Sequence, residues 1–244
     1  MSSLSEPGVN VSRETKATNL PSRYQGWAEM FDNRVASELR PGISILDVGG
    51  GRRPAVPVEQ RPEDCLYAGL DLAASELAAA PDGSYSESYV GDIANFRDDL
   101  ADRFDLIVSW QVLEHVKSLD ASIENVRRYL KPGGRFISQF SGTFSSFGLI
   151  NQLVPASFGV WLLKHLKGRD PATVFPAYYH HCWYNAVRSS MSAWSGVEVV
   201  PRYKAADYLR FFRPLQKAYL VYENWTANGR HPNLATHYLV DSRR

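Results

Sequence analysis

The sequence predicts an α/β protein built on a mostly parallel sheet with helices on both faces. The run Ile43-Ser44-Ile45-Leu46-Asp47-Val48 is apolar and β-branched, carries an acid near its end, and breaks into Gly49-Gly50-Gly51. That is the pattern of a buried parallel strand feeding a tight turn where backbone must come close to a ligand, since a Cβ would block the approach. Two further runs of the same kind, Cys65–Asp71 and Phe104–Trp110, follow it, with helical patterns between them. Such alternation builds a parallel sheet through helical crossovers. The 244 residues are enough for one large domain with a sizeable core.

Taken in order, residues 1–20 are rich in Ser, Thr and Asn and are expected to be a mobile leader to a single domain spanning 21–244. From Ser22 to Leu39, Tyr24, Trp27, Phe31, Val35 and Leu39 recur at helical spacing, with Ser22 as the N-cap and Pro41-Gly42 as the stop. Residues 52–62 form a proline-punctuated loop, and Cys65–Asp71 is a second strand ending in an acid. Leu72–Ala80 is an Ala-rich helix closed by Pro81-Asp82-Gly83, and Ser88–Ile93 a short third strand with Asp92 near its tip. Phe104–Trp110 is the fourth strand and Ser122–Leu130 the next helix. Pro132 stops that helix and Gly133-Gly134 turn the chain into a fifth strand.

Residues 136–163 carry no charge and are rich in Phe, Leu, Ile and Val, but Pro155 and several polar residues argue against a spanning helix. A lid over an apolar substrate, a segment resting on a membrane surface, and plain burial all fit. Phe175–Asn185 is dense in aromatic residues and histidine, and a helix then runs through Met191. Val197–Tyr203 is a sixth strand. Asp207–Trp225 reads as an aromatic helix with Leu209, Phe212, Leu215, Tyr219 and Tyr222 along one side, stopped by Asn228-Gly229. Leu234–Asp241 is the last strand. Residues 142–185 and 206–228 are expected to be helical lid or substrate-binding insertions.

Net charge is +1, with no basic run interleaved with aromatics, so no nucleic-acid partner is expected. Cys65 and Cys182 lie far apart with no C-x-x-C, which argues against a disulfide framework or zinc site and for a reducing cytoplasm. The polar N-terminus, with Glu6 and Pro7, does not read as a signal peptide.

The glycine turn is not a dinucleotide fingerprint, because Pro54 stands where the third glycine belongs and an acid lies inside the turn. It also lacks the Gly-Lys-Ser/Thr of a P-loop. The D-x-G-x-G of Asp47-Val48-Gly49-Gly50-Gly51 instead resembles the class I S-adenosylmethionine (SAM) dependent methyltransferases, although the last position of their fuller D-x-G-x-G-x-G pattern is Arg53. The segment from Phe104-Asp105-Leu106-Ile107-Val108 to Leu113-Glu114-His115-Val116 resembles their ubiquinone/menaquinone-biosynthesis-like branch. The turn Leu130-Lys131-Pro132-Gly133-Gly134-Arg135-Phe136 recurs in the same family.

The resemblance, good over about residues 40 to 140, implies a Rossmann-like seven-stranded sheet with an antiparallel last strand. It implies SAM as cofactor and S-adenosylhomocysteine (SAH) as product. An acid closing the second strand roughly 20 residues past the turn can hold both ribose hydroxyls, and the resemblance gives Asp71 that role. It gives Asp92 and Ile93 the adenine, one accepting from its amine and the other packing on the ring. Asp47, Gly49, Gly51, Leu72 and Trp110 complete the implied cofactor contacts, with Arg23 and Tyr24 from a preceding helix that closes over it.

Methyl transfer from a sulfonium is an in-line displacement, for which the enzyme supplies alignment and exclusion of water. A hydroxyl acceptor must also lose its proton, and His is the usual agent. The candidates are His115, which reads more readily as a packing or helix-capping residue, and His180 and His181, which also read as aromatic-packed or exposed histidines. Tyr178, Tyr179, Trp183 and Phe144 are expected to shape an apolar acceptor pocket. The fifth strand ends in Ser138, Gln139 and Ser141 with no acid, so no metal is expected. The expected function is methylation of a hydroxyl oxygen on a small, partly apolar molecule such as a quinone precursor, polyketide or glycolipid sugar. The alternative is a SAM-binding protein without transfer activity that uses its apolar lid as an interaction surface. A monomer or homodimer, cytoplasmic and able to touch a membrane surface, suits either.

Overall fold

A computed structural model describes residues 20–145, Gly148 and 178–244. The leader and most of the uncharged stretch lie outside the described residues. Seven strands form one sheet: β1 (Ser44–Val48), β2 (Leu66–Asp71), β3 (Glu87–Val90), β4 (Phe104–Trp110), β5 (Leu130–Ser141), β6 (Ser195–Arg202) and β7 (His237–Arg243). Their spatial order is β3-β2-β1-β4-β5-β7-β6. β1 to β5 pair in parallel, while β7 lies antiparallel to both β5 and β6. The order reverses between β1 and β4, and open α/β sheets bind ligands beyond the strand ends at such a switch.

All five residues of β1 are buried, as a strand covered on both faces must be. The alternation of side chains along a strand divides the core in two. Leu46, Leu70, Ile107 and Phe136 pack on one face with Ile123 and Val126 of α3 (Leu119–Tyr129). Ile45, Tyr67, Leu106 and Ile137 pack on the other with Phe31 and Val35 of α1 (Glu29–Ala36). The remaining α-helices among the described residues are α2 (Ala74–Ala78), α4 (Tyr184–Ser190) and α5 (Arg213–Asn228).

Two helices differ from expectation. The first starts at Glu29 rather than Ser22, because Gly26 sits at φ +59° and turns the chain, leaving Ser22–Tyr24 as a single 3-10 turn. The aromatic helix begins only at Arg213, with Pro214 in its first turn, where a missing N–H is tolerated. Its expected apolar side is only partly covered: Leu209 is buried and Tyr219 and Tyr222 are half-buried, but Phe212 is 54% and Leu215 44% exposed, whereas Glu223 and Thr226 are buried. A carboxylate therefore fastens this helix. Glu223 accepts from Arg23 Nη2 at 3.1 Å, from the Tyr24 hydroxyl, and from the backbone N–H of Ala205 at 2.5 Å.

Candidate functional site

A cavity of about 360 Å³ opens beyond the carboxyl ends of β1, β2 and β4. One wall is Val48, Gly49, Leu70, Asp71 and Leu72, continued by Gly91, Asp92 and Ile93. The other is Gln111, Val112, His115, Val116, Lys117 and Tyr178.

The glycine turn shapes the first wall. Gly49 lies at φ +74° and donates its N–H to the Leu70 carbonyl at 2.7 Å, tying the turn to β2. A Cβ there would sit 2.3 Å from Val112 Cγ2, so only glycine lets the turn pack against the opposite wall. Asp47 is fully buried behind the turn, where its Oδ2 accepts from the Ala55 N–H and the Tyr67 hydroxyl, both at 2.7 Å. Burial lifts its carboxyl to about 6. The Tyr85 hydroxyl braces the turn through the Gly51 carbonyl at 2.8 Å.

Asp71 and Asp92 follow neighbouring strands and face the same cavity. Each fixes its own turn through Oδ1, Asp71 on the Ala73 N–H at 3.0 Å and Asp92 on the Ala94 N–H at 2.9 Å. Burial raises the Asp71 carboxyl above its ordinary range. Beside them stand Leu72, 57% exposed, and the buried Ile93. Two acids flanked by two apolar side chains suit a ligand with a polar rim and a flat apolar body.

The second wall hangs from the end of β4. Gln111 takes φ +57°, and its N–H reaches the Gln139 carbonyl at 2.6 Å while its Oε1 accepts from the Ser141 hydroxyl at 2.8 Å. Glu114 is buried, accepts the Ser141 N–H at 3.2 Å through Oε1, and offers its carbonyl to the N–H groups of Tyr178 and Tyr179. Burial raises its carboxyl too. The Glu114 turn thereby carries His115 and seats Tyr178 across from the two acids.

The cavity thus gathers Gly49, Asp71, Leu72, Asp92, Ile93, His115 and Tyr178. Among the described residues the other expected contacts lie off its wall. Asp47 and Gly51 build the turn from behind. Arg23 and Tyr24 are held by Glu223. Trp110 points to the opposite sheet face, its ring 5.4 Å from Trp27 and 4.9 Å from Phe31. His180 and His181 face outward: His180 Nδ1 lies 3.3 Å from the Lys117 carbonyl and His181 Nδ1 3.6 Å from Asp120 Oδ2. His181 and Tyr179 both have positive φ, and this irregular turn carries the imidazoles away from the cavity. Trp183 packs on His181 at 5.3 Å, the buried Tyr179 gives its carbonyl to Thr143, and Phe144 gives its carbonyl to the Tyr219 hydroxyl. Sequence reasoning missed Gln111, Val112, Val116 and Lys117, although a polar residue directly after a strand ending in Trp110 marks the ligand edge of a parallel sheet. Among the described residues no group of three His, Cys, Asp or Glu could hold a metal.

This sheet order, with an antiparallel β7 and acids at two adjacent strand ends beside a glycine turn, is that of a class I SAM-dependent methyltransferase. A model of the methyltransferase domain matches residues 23–187, and the chain belongs to that family. It is 31% identical over 124 residues to a ubiquinone biosynthesis O-methyltransferase of Chelativorans sp., covering 48% of each protein. It is 28% identical over 123 residues to the protein of that name from Brucella ovis, covering 48% of this chain and 50% of that one. The chain spans about half the length of the curated relatives it matches. Geranyl diphosphate C-methyltransferase from Streptomyces coelicolor, solved with SAH, shares the fold at TM-score 0.56 and 15% identity, covering 89% of this chain and 78% of that one.

Proposed function

We propose that the chain transfers the methyl group of SAM to a hydroxyl oxygen of a small, partly apolar acceptor. The observation that carries this is the shared cavity of Asp71 and Asp92, with His115 and Tyr178 on the wall opposite. The residues present fit the nucleoside. Asp71 would hold the ribose diol, Asp92 the adenine amine, Leu72 and Ile93 the faces of the ring, and the Gly49 backbone the methionine end. Bound there, SAM supplies a methyl group on a sulfonium leaving group. Asp47 acts indirectly, by fixing the turn through Ala55 and Tyr67.

On the acceptor side, His115 lies on the cavity wall and would take the hydroxyl proton as the oxygen attacks, while Tyr178 packs on the acceptor and excludes water. Oxygen as the methylated atom is supported by the ubiquinone O-methyltransferase relatives. A partly apolar, lipid-like acceptor is supported by the exposed Phe211, Phe212 and Trp225, which would let the protein touch a membrane surface. No described helix is long and apolar enough to cross one. Two free cysteines suit a cytoplasmic setting.

The test is transfer of radiolabelled methyl from SAM into a cell extract, with identification of the labelled product. The expected result is a methyl ether, formed at least 100-fold more slowly by His115→Ala, since general-base assistance contributes about 10²–10⁴. A folded protein that binds SAH but labels nothing would instead be a binding protein without transfer activity. Unchanged turnover in His115→Ala would remove that residue from the chemistry.

A further inference from the structure

On the sheet face that carries α1, the end of β5 and the start of β7 gather polar side chains sealed from water. Gln139 is 0% and His237 1% exposed. The antiparallel register sets His237 opposite Ser141, and Gln139 lies two residues back on the same face. Among the described residues, neither amide atom of Gln139 nor Nε2 of His237 has a hydrogen-bond partner. Buried polar atoms left unpaired are uncommon, and each calls for a ligand or a structural reason. One residue joins this row to the cavity wall. Gln111, on the cavity wall, bonds the Gln139 carbonyl through its N–H and the Ser141 hydroxyl through its side chain.

The neighbours of His237 fix its tautomer. The Thr236 hydroxyl lies 2.9 Å from the Arg202 carbonyl, which can only accept, so its single proton is committed there. The same oxygen accepts the Lys204 N–H at 2.7 Å. Its 3.1 Å contact with His237 Nδ1 therefore requires that nitrogen to donate. Nε2 is left as a bare lone pair that asks for a donor. Burial, together with Lys204 and Arg202, holds the ring neutral, pushing it down to about 3. So weak a base accepts a hydrogen bond without keeping the proton. The surroundings are aromatic: Trp27 packs edge-on at 4.8 Å and Tyr208 lies at 6.3 Å.

From these observations we propose that His237 and Gln139 form a subsite for a second hydroxyl of the acceptor, distinct from the one whose proton goes to His115. His237 Nε2 accepts its O–H and Gln139 donates to its oxygen, beside the edge-on ring of Trp27. The chemical class selected is a neutral hydroxyl on an aromatic or similarly flat ring. This rests on the reading of the chain as a hydroxyl methyltransferase.

The test uses the full chain, labelled with ¹⁵N-histidine and loaded with SAH, titrated with phenol and separately with anisole. The His237 signals are assigned by their loss in His237→Gln. The expected spectrum shows a protonated Nδ1 and a bare Nε2, with the Nε2 signal moving saturably with phenol and staying put with anisole, which has no O–H. The opposite tautomer, equal responses to the two probes, or no response overturns the proposal. As a second variant, Gln139→Leu should keep SAH affinity and raise the acceptor KM about tenfold with kcat little changed, as loss of one hydrogen bond to a ligand does. A fall in kcat with KM unmoved overturns the proposal as well. A phenol response in a protein that methylates no hydroxyl compound would sink the functional reading and leave the subsite standing. Transfer without a phenol response would do the reverse.

Discussion

Replacing Asp71 by Asn probes the nucleoside site with little disturbance of the fold. The Asp71 side chain accepts the Ala73 N–H at 3.0 Å, and an amide oxygen can keep that bond and hold the turn after β2. What the variant loses is charge, and with it the charge assistance to the hydrogen bonding of a ribose diol in a partly desolvated site. Hydrogen bonds to charged groups contribute about 1.5–3 kcal/mol, so the SAH dissociation constant should rise roughly 10- to 150-fold. The raised carboxyl of Asp71 adds a pH signature, since its proton must leave before the diol is held as a charged pair. Wild-type affinity should fall as pH drops through the carboxylate range, and Asp71→Asn should flatten that dependence. Isothermal titration calorimetry measures both, with thermal unfolding as the check on folding. A variant that binds SAH within twofold of wild type would show that Asp71 does not touch the ligand.

Two other consequences concern the turn. Gly49→Ala places a Cβ 2.3 Å from Val112 Cγ2 at φ +74°, so it should cost about 1–2 kcal/mol of stability for the left-handed backbone alone and push Val112 into the cavity. Chemical unfolding and SAH titration would both register it, and wild-type values in both would refute the close packing. Asp47 binds its proton more tightly folded, at about 6, than at its ordinary value of 3.8. The native state thus holds more protons across that window, and stability contributed by this group falls as pH rises through it, by on the order of 3 kcal/mol in all. Asp47→Asn should remove that slope in urea unfolding between about pH 4 and pH 7. An identical pH profile in variant and wild type would contradict the burial of the carboxyl.

Much of this fold was legible because its parallel strands are continuous apolar runs closed by acids. β4 falls on Phe104–Trp110, as the sequence indicates, and β1 and β2 fall within a residue of expectation. Acids at the tips of parallel strands converge wherever the strands are neighbours, so Asp71 and Asp92 could be placed together from order alone. Where tertiary contacts override periodicity the sequence misleads. Gly26 breaks an otherwise helical pattern, and Phe212 and Leu215 at the start of α5 lie outward while Glu223 anchors the helix by its other side. His180 and His181 drew notice by composition, yet a left-handed turn directs them outward, His180 to the Lys117 carbonyl and His181 to Asp120 of α3. His237 drew none. Its setting depends on β7 pairing with β5, a contact between segments about a hundred residues apart that no local pattern records.

The most direct measurement is the structure of the protein crystallised with SAH. The ligand should lie in the cavity beyond β1, β2 and β4, its ribose hydroxyls on Asp71 and its adenine between Leu72 and Ile93 with the amine toward Asp92. Ligand density elsewhere, or a nucleoside in that cavity with Asp71 and Asp92 turned away from it, would contradict the assignment of the site.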